Sequence, residues 1–170
     1  MGPHAMLQTE TPGKNLSVRL LSAGSSEVVL YLHTSRAPSH SEWNEAMSLL
    51  ERAARKSRMQ NLRGLVITDG GGPDADMRAQ LKELYERERL AMPTAVVSAS
   101  VLVRSIVGAI SWFSPSIRSF SFRGLDQALG FLDLPATAKP RILETVRSMQ
   151  QALPLVTCLK LVENAQSELA

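Results

Sequence analysis

Short apolar runs that alternate with amphipathic segments constrain the fold of this chain more than any other feature of its sequence. The stretch LRGLVITD, residues 62–69, is a continuous apolar run typical of a strand that is buried on both faces of a sheet. The segments on either side of it carry apolar residues every three or four positions, which indicates helices. Strands that alternate with helices predict an α/β fold with a mainly parallel sheet.

Other segments fit the same alternation. Two runs of β-branched and apolar residues on either side of Gly24 predict an N-terminal hairpin, and Ser39 followed by Glu42 predicts a capping box at the start of the first helix. Residues 101–113 predict a helix with Leu102 and Ile106 on one stripe. The predicted order is hairpin–α–β–α–β–α–β–α, followed by a C-terminal extension. Its first segment has Ile142, Val146, Met149 and Leu153 at helical spacing, and its last segment fits either a strand or a helix.

Size, charge and cysteine content fit one globular domain. The chain has 170 residues and a net charge of +3, which does not argue for nucleic acid. Its first six residues resemble a cloning scar, so residues 1–16 are expected to be a tag remnant and a flexible lead-in. The single Cys158 excludes an intramolecular disulfide framework and fits a reducing cytosol. The most apolar window, residues 101–113, is too short to span a membrane.

The sequence DGGGPDAD, residues 69–76, has three candidate roles, and we call it the acidic glycine loop. Phosphate binding is disfavoured because three aspartates repel phosphate and no Gly-Lys-Ser/Thr ending follows. Asp69, Asp74 and Asp76 could instead hold a divalent cation, although their spacing matches no EF-hand loop. The favoured interpretation is that the glycines free the backbone for a turn and the aspartates cap a helix, which is compatible with a docking surface.

Neither a basic cluster nor the histidines predicts a specific chemistry. A surface that binds nucleic acid usually has aromatic residues between its basic residues, and the basic cluster has none. A solvated helix face is therefore favoured over a patch for nucleic acid or an acidic partner. That cluster consists of Arg52, Arg55, Lys56, Arg58 and Arg63. His33 and His40 lack the spacing of metal ligands, and no Gly-x-Ser-x-Gly elbow accompanies the nearby serines. We therefore expect no catalytic residue, no metal site and no cofactor.

Residues 62–134 resemble the bacterial STAS domain, the module of sulfate transporters and anti-sigma-factor antagonists, in a divergent STAS-like form. The matching features are the buried strand that ends in a loop, a helix with Met77 and Arg78 near its start, the strand MPTAVVS and the closing IRSFSFRGLDQALGFL. With the hairpin and the first helix, the resemblance covers residues 17–134. It implies a STAS-like mixed, mainly parallel sheet with helices packed on it, and it leaves residues 135–170 as a C-terminal helical extension.

In the best-understood members of that family, an Asp-Ser-Ser/Thr-Gly motif opens the helix that corresponds to residues 74–90, and a partner kinase phosphorylates the serine. This chain has no Ser or Thr between Thr68 and Thr94, so we do not expect that switch. The helix dipole can stabilise carboxylates at this position by about 0.3–1 kcal/mol each. They imitate a phosphoserine only loosely, because it carries nearly twice the charge.

The resemblance implies a non-enzymatic, cytoplasmic, bacterial regulatory protein that signals by binding a kinase or an anti-sigma-type protein. The expected partner-binding residues are Asp69, Gly71, Asp74, Asp76, Arg78, Lys82, Glu83 and Glu86. The alternative is a small-molecule or lipid-binding module of similar fold, with residues 101–113 lining a cavity between sheet and helices. The C-terminal extension either closes over the sheet or pairs with a second chain in a homodimer.

Overall fold

The computed structural model describes residues 14–57, 61–111, 116–153 and 155–168. Within these ranges lie five strands: β1 (Leu16–Ala23), β2 (Ser26–His33), β3 (Leu62–Thr68), β4 (Thr94–Val97) and β5 (Ile117–Phe120). The same ranges contain six α-helices: α1 (His40–Lys56), α2 (Ala75–Arg87), α3 (Val101–Ser111), α4 (Leu125–Phe131), α5 (Ala138–Gln150) and α6 (Val156–Ser167). Residues 1–13 of the expected lead-in and Arg58 of the basic cluster lie outside the described residues.

The five strands form one sheet in the order β1-β2-β3-β4-β5. β1 pairs antiparallel with β2 through a tight turn, in which Gly24 has a φ of +65° that favours glycine. The remaining neighbours pair in parallel. This arrangement confirms the predicted α/β fold with a mixed, mainly parallel sheet.

Helices cover both faces of the sheet. Each of the three crossovers between parallel strands advances by one strand in the same direction, so their right-handedness places α1, α2 and α3 on one face. The predicted capping box begins α1: Ser39 Oγ accepts from the backbone N–H of Glu42 at 3.2 Å, and Glu42 Oε2 accepts from that of Ser39 at 2.7 Å. The remaining helices, α4, α5 and α6, share a hydrophobic core with the opposite face.

Successive side chains of a strand point to opposite faces of the sheet. In β2, Leu30 and Leu32 therefore belong to the core beneath α4–α6, whereas Val29 and Tyr31 pack with α1 and α2. The same alternation explains the continuous apolar run of β3. Both of its faces are covered, so both need apolar residues.

The C-terminal extension closes over the sheet and is not a separate unit. The stripe predicted for α5 is buried: Ile142, Val146 and Met149 lie in the same core as the strand residues facing α4–α6. The last segment, which the sequence left open between strand and helix, forms α6. Among the described residues, no helix is both long enough and apolar enough to cross a membrane.

The N-terminus of α6 is bound to the end of β3. Asp69 Oδ1 accepts from the backbone N–H of Thr157 at 2.8 Å, and Asp69 Oδ2 accepts from that of Val156 at 2.7 Å. The hydroxyl of Thr157 donates to the carbonyl oxygen of Thr68 at 3.1 Å. A carboxylate is favoured here because the first N–H groups of a helix have no partner within the helix.

Replacement of Asp69 by Asn tests this attachment. The amide retains only one acceptor oxygen, so we expect Asp69→Asn to lower the free energy of unfolding by about 1–3 kcal/mol, measured by urea denaturation. The control is Glu144→Gln, which neutralises an exposed carboxylate of α5 and should change the free energy by at most about 0.5 kcal/mol. Equal effects of the two substitutions would contradict the role of Asp69.

Candidate ligand cavity

A cavity of about 530 Å³ lies between the sheet and the helices α1, α2 and α3. This volume falls within the range of roughly 300–1,000 Å³ that is typical of small-molecule sites. Most of its wall is apolar or aromatic. The side chains that line it from the strands include Tyr31, His33, Val66, Thr68, Thr94, Val96 and Ile117, and those from the helices include Trp43, Ala46, Met47, Leu81, Tyr85, Val103, Ile106 and Val107.

The helix α3 forms the wall of the cavity above the last strands. Its cavity-lining residues are Val103, Ile106 and Val107, at the three- and four-residue spacing of a helix face. The predicted stripe of Leu102 and Ile106 is wrong for Leu102, whose side chain is 70% exposed and is not part of the wall. Ile106 lines the wall although it is itself 55% exposed.

The acidic glycine loop forms part of the rim, and its glycines have the predicted role in a turn. Gly70 has a φ of +125°, which an L side chain rarely adopts. The backbone N–H of Gly71 donates to the carbonyl oxygen of Thr34 at 2.7 Å. A Cβ at Gly71 would collide with the carbonyl oxygens of Thr34 and Arg36, so only glycine permits this close approach.

The three aspartates of the loop do not converge. Asp69 binds α6, as described above, whereas Asp74 caps α2, because its Oδ1 accepts from the backbone N–H of Met77 at 2.9 Å. Asp76 is exposed in the first turn of α2. No group of three His, Cys, Asp or Glu residues in the described parts of the chain could hold a metal ion.

The remaining predicted partner-binding residues lie on one accessible surface, apart from the half-buried Gly71. The exposed members are Asp74, Asp76, Arg78, Lys82, Glu83 and Glu86. Arg78 Nη1 donates to the carbonyl oxygen of Pro73 at 2.8 Å, which fixes the start of the helix. Lys82 and Glu86 form an exposed ion pair at 3.7 Å. The structure thus leaves this surface available, while Asp69 already accepts two intramolecular hydrogen bonds.

The basic cluster is largely paired within the chain. Arg55 contacts Glu51 at 2.7 Å and Glu88 at 3.3 Å, and Lys56 lies 3.8 Å from Glu27. In addition, Arg63 Nε donates to the carbonyl oxygen of Leu132 at 2.7 Å. These contacts favour the interpretation of a solvated helix face over that of a nucleic-acid patch.

Two buried polar atoms in residues of the cavity wall have no protein partner among the described residues. They are Nδ1 of His33 and Nε1 of Trp43, and the two residues are only 5% and 4% exposed. An unsatisfied buried donor or acceptor typically costs about 1–3 kcal/mol. The sequence interpretation found no specific chemistry at His33, although the two-residue period of β2 places it on the same face as Tyr31.

The titratable groups of the wall are uncharged near neutral pH. Burial lowers the pKa of His33 from 6.5 to about 4, against the opposing influence of Glu42. Burial raises the pKa of Tyr85 to about 12, although a hydrogen bond with Thr94 acts in the other direction. The pKa of Tyr31 is also raised, first by burial and then by Tyr85. Among the described lining residues, only Arg78 at the rim carries a formal charge.

Burial of neutral His33 predicts a pH-dependent stability. Between its ordinary pKa of 6.5 and its folded pKa of about 4, the unfolded chain binds a proton that the folded chain does not. The free energy of unfolding is therefore unaffected by protonation of His33 above pH 6.5, and it decreases by about 3 kcal/mol as the pH falls to 4. Urea denaturation of the wild type and of His33→Phe at roughly pH 7 and roughly pH 4.5 measures the difference.

The comparison with His33→Phe isolates this residue, because Glu42 titrates in both proteins. Hydrogen bonds from the backbone N–H groups of Asn15 and Ser39 outweigh burial and lower the pKa of Glu42. Its contribution to stability is therefore also lost at low pH in both proteins, so the comparison reports His33 together with its coupling to Glu42. Parallel pH profiles for the two proteins would show that His33 does not titrate as proposed.

Comparisons with known proteins identify the fold. The sequence matches no protein-family model, and no curated protein matches it. Among solved structures, it is similar to an uncharacterised protein of the DUF3478 family from Shewanella loihica PV-4, which is described as having a SpoIIAA-like fold. The TM-score is 0.52 at 14% sequence identity, over 78% of this chain and 98% of that chain. The chain therefore has a SpoIIAA-like fold, the fold of STAS and anti-sigma-factor-antagonist domains, in a divergent form.

Proposed function

We propose that the chain is a non-enzymatic binding module that holds a small, mainly apolar molecule between its sheet and the helices α1–α3. The observation that carries this proposal is the cavity of about 530 Å³ with its apolar and aromatic wall. Apolar wall residues that have no protein side chain opposite them lose contacts that a bound apolar molecule would restore. This was the alternative interpretation of the sequence, and residues of the segment 101–113 do line the cavity.

The chemistry of the wall favours binding over catalysis. Its histidine and tyrosines are uncharged near neutral pH, and its charged member, Arg78, is exposed at the rim. The single Cys158 is buried beneath the other face of the sheet, and burial followed by the charge of Asp69 raises the pKa of its thiol to about 12. A thiol with that pKa is a poor nucleophile at neutral pH.

A substitution that fills the cavity tests the proposal. Ala46 is a buried residue of α1 in the wall, so the larger side chain of Ala46→Phe should occupy ligand space. We expect the affinity for phenylnaphthylamine, a dye that fluoresces in apolar surroundings, to fall at least about tenfold. Fluorescence titration measures the affinity, and circular dichroism checks the fold.

The matched control is Ala79→Phe, the same change at an exposed position of α2, which should leave dye binding unchanged. Val107→Phe provides a second filling variant from the α3 side of the wall. Unchanged dye affinity in folded Ala46→Phe and Val107→Phe would refute the cavity as the binding site, as would a wild-type protein that binds no dye.

We propose a second function, the regulatory protein binding that the sequence resemblance implies, at the exposed face of α2. The observation that favours it is the arrangement of charge on this helix. Arg78, Lys82 and Glu86 follow one another at four-residue spacing on an exposed stripe, while Met77 and Leu84 are buried on the opposite side. Mixed exposed charges suit a reversible contact whose partner is selected by electrostatics.

An exchange of charges within α2 tests this second function. The double variant Lys82→Glu, Glu86→Lys keeps the net charge and the four-residue ion-pair spacing but inverts the pattern. We expect capture of the protein partner to weaken at least about tenfold, measured by affinity pull-down with quantitative mass spectrometry. The melting temperature should hardly change, because both side chains are exposed.

Asp74 needs a conservative change, because a reversed charge would also remove the cap of α2. Asn caps helices about as well as Asp, so Asp74→Asn removes the charge and keeps the cap, whereas Asp74→Ala is expected to lose about 0.5–2 kcal/mol of stability. A partner that binds the double variant and Asp74→Asn as well as the wild type would rule out this surface.

A further inference from the structure

We infer that the outer edge of β5 binds an extended acidic segment of a partner protein, which adds to the sheet as a sixth strand. Two independent observations carry this inference: backbone groups of β5 that have no partner, and exposed cations beside them that form no ion pair. β5 is the last strand of the sheet, so one of its sides has no neighbouring strand among the described residues. We call this side, together with the cations that flank it, the β5 surface.

The hydrogen-bond pattern of the sheet shows which backbone groups of β5 are free. The carbonyl oxygen of Phe120 accepts from the backbone N–H of Ser98 at 3.1 Å, so Phe120 bonds towards β4. In a parallel pair, alternate residues of a strand bond to the same neighbour, so the N–H and C=O groups of Ile117 and Ser119 point away from β4. Among the described residues, none pairs with these groups. An extended peptide can add to such an edge through main-chain hydrogen bonds.

Three exposed cations flank this edge: Arg118 of β5, Arg123 shortly after it and Lys160 of α6. The guanidinium carbon of Arg118 lies 5.0 Å from the centre of the Phe131 ring. The guanidinium carbon of Arg123 and Nζ of Lys160 lie 5.5 and 5.7 Å from the centre of the Phe122 ring. None of the three forms an ion pair with a described residue. Contact with a ring face holds a cation in place but does not neutralise its charge.

The positions of these cations select an acidic segment. Opposite charges on adjacent strands stabilise their pairing, so a carboxylate across from Arg118 is favoured. Arg123 follows Arg118 by five positions, so their Cα atoms are at most about 18 Å apart, and Lys160 contacts the same ring as Arg123. One extended acidic segment can therefore contact all three cations. A second copy of β5 would instead bring another Arg118 to the edge, and like charges across adjacent strands destabilise their pairing.

Single-stranded nucleic acid fits the β5 surface less well than a protein segment. Its binding relies on bases that stack on free faces of aromatic rings. Phe122 and Phe131 are half-buried against the core beneath α4–α6, and cations already lie over their rings. A nucleic acid would account for the cations alone, whereas an acidic peptide also pairs with the free N–H and C=O groups of Ile117 and Ser119.

Dye-labelled peptides of equal length test the inference on the wild-type chain. One repeats Glu-Thr, the second repeats Gln-Thr and so lacks the charge, and the third is the Glu-Thr peptide with every peptide nitrogen methylated, which keeps the charge but has no N–H donor. We expect Glu-Thr to bind at least about tenfold more tightly than either of the others, measured by fluorescence anisotropy at low ionic strength.

Each alternative result of the peptide titration contradicts one step of the inference. Equal affinities of Glu-Thr and Gln-Thr would refute the selection by charge, and equal affinities of Glu-Thr and its methylated form would refute strand addition. A wild-type chain that does not bind Glu-Thr would refute the inference as a whole. A labelled thymidine oligonucleotide that binds more tightly than Glu-Thr would overturn it in favour of nucleic acid.

Charge-removing variants locate the binding surface. Arg118→Gln and the double variant Arg123→Gln, Lys160→Gln should each lower the affinity for the Glu-Thr peptide about three- to tenfold. The matched control is Arg52→Gln, the same change at an exposed position of α1 on the other face of the sheet, which should leave the affinity unchanged. Equal losses in Arg118→Gln and Arg52→Gln would show that the peptide responds only to net charge, and would overturn the inference. Circular dichroism checks the fold of each variant.

Amide hydrogen exchange in the wild-type chain tests the strand addition without any substitution. Saturation with the Glu-Thr peptide should slow exchange of the backbone N–H groups of Ile117 and Ser119 at least about tenfold, measured by nuclear magnetic resonance. The N–H of Phe120 is the internal reference, because this residue already bonds towards β4. Unchanged exchange at Ile117 and Ser119 in the peptide-bound chain would overturn the inference. Should Arg118→Gln not fold, this measurement and the double variant still decide.

Discussion

The carboxylate of Asp69 binds the start of α6 at the point where β3 ends, and this contact joins the helices on one face of the sheet to the loop at the rim of the cavity on the other face. Side chains alternate along the strand: Ile67 is in the core beneath α4–α6, Thr68 lines the cavity, and Asp69 again points towards α6. The hydroxyl of Thr68 accepts from the backbone N–H of Gly70 at 3.0 Å and donates to the carbonyl oxygen of Gly71 at 2.9 Å. One short segment therefore anchors the C-terminal helix and shapes the rim of the cavity.

The two faces of the sheet differ in how they are filled. Beneath α4–α6, aliphatic side chains such as Leu30, Leu65 and Ile142 are fully buried against one another. On the other face, Tyr31 and His33 project into a wall that includes an indole and a second phenol, and a cavity is present between them and α3. The polar and aromatic side chains of this wall distinguish it from the aliphatic core of the other face.

Local signals in the sequence predicted the local structure well. The Ser39–Glu42 capping box, the β3 strand and the α5 stripe each depend on residues a few positions apart, and all three are confirmed. The partner of Asp69 could not be predicted in this way, because it lies 87 and 88 residues further along the chain. The cavity was predicted only in outline, as the alternative interpretation with residues 101–113 in its wall. Its other lining residues come from two further helices and four strands that are far apart in the sequence, so no local pattern identifies them.

The two proposed functions use the same helix. Leu81 and Tyr85 of α2 line the cavity, while Lys82 and Glu86, each one residue further on, lie exposed in the predicted partner surface. A ligand in the cavity would therefore contact the element that also presents the charges. If that contact shifts α2, the bound ligand changes the affinity for the partner. Because linkage between two binding sites is reciprocal, the bound partner must then change the affinity for the ligand by the same factor. Since Asp74 caps this helix and Arg78 is bonded to Pro73, such a shift would be transmitted to the acidic glycine loop as well.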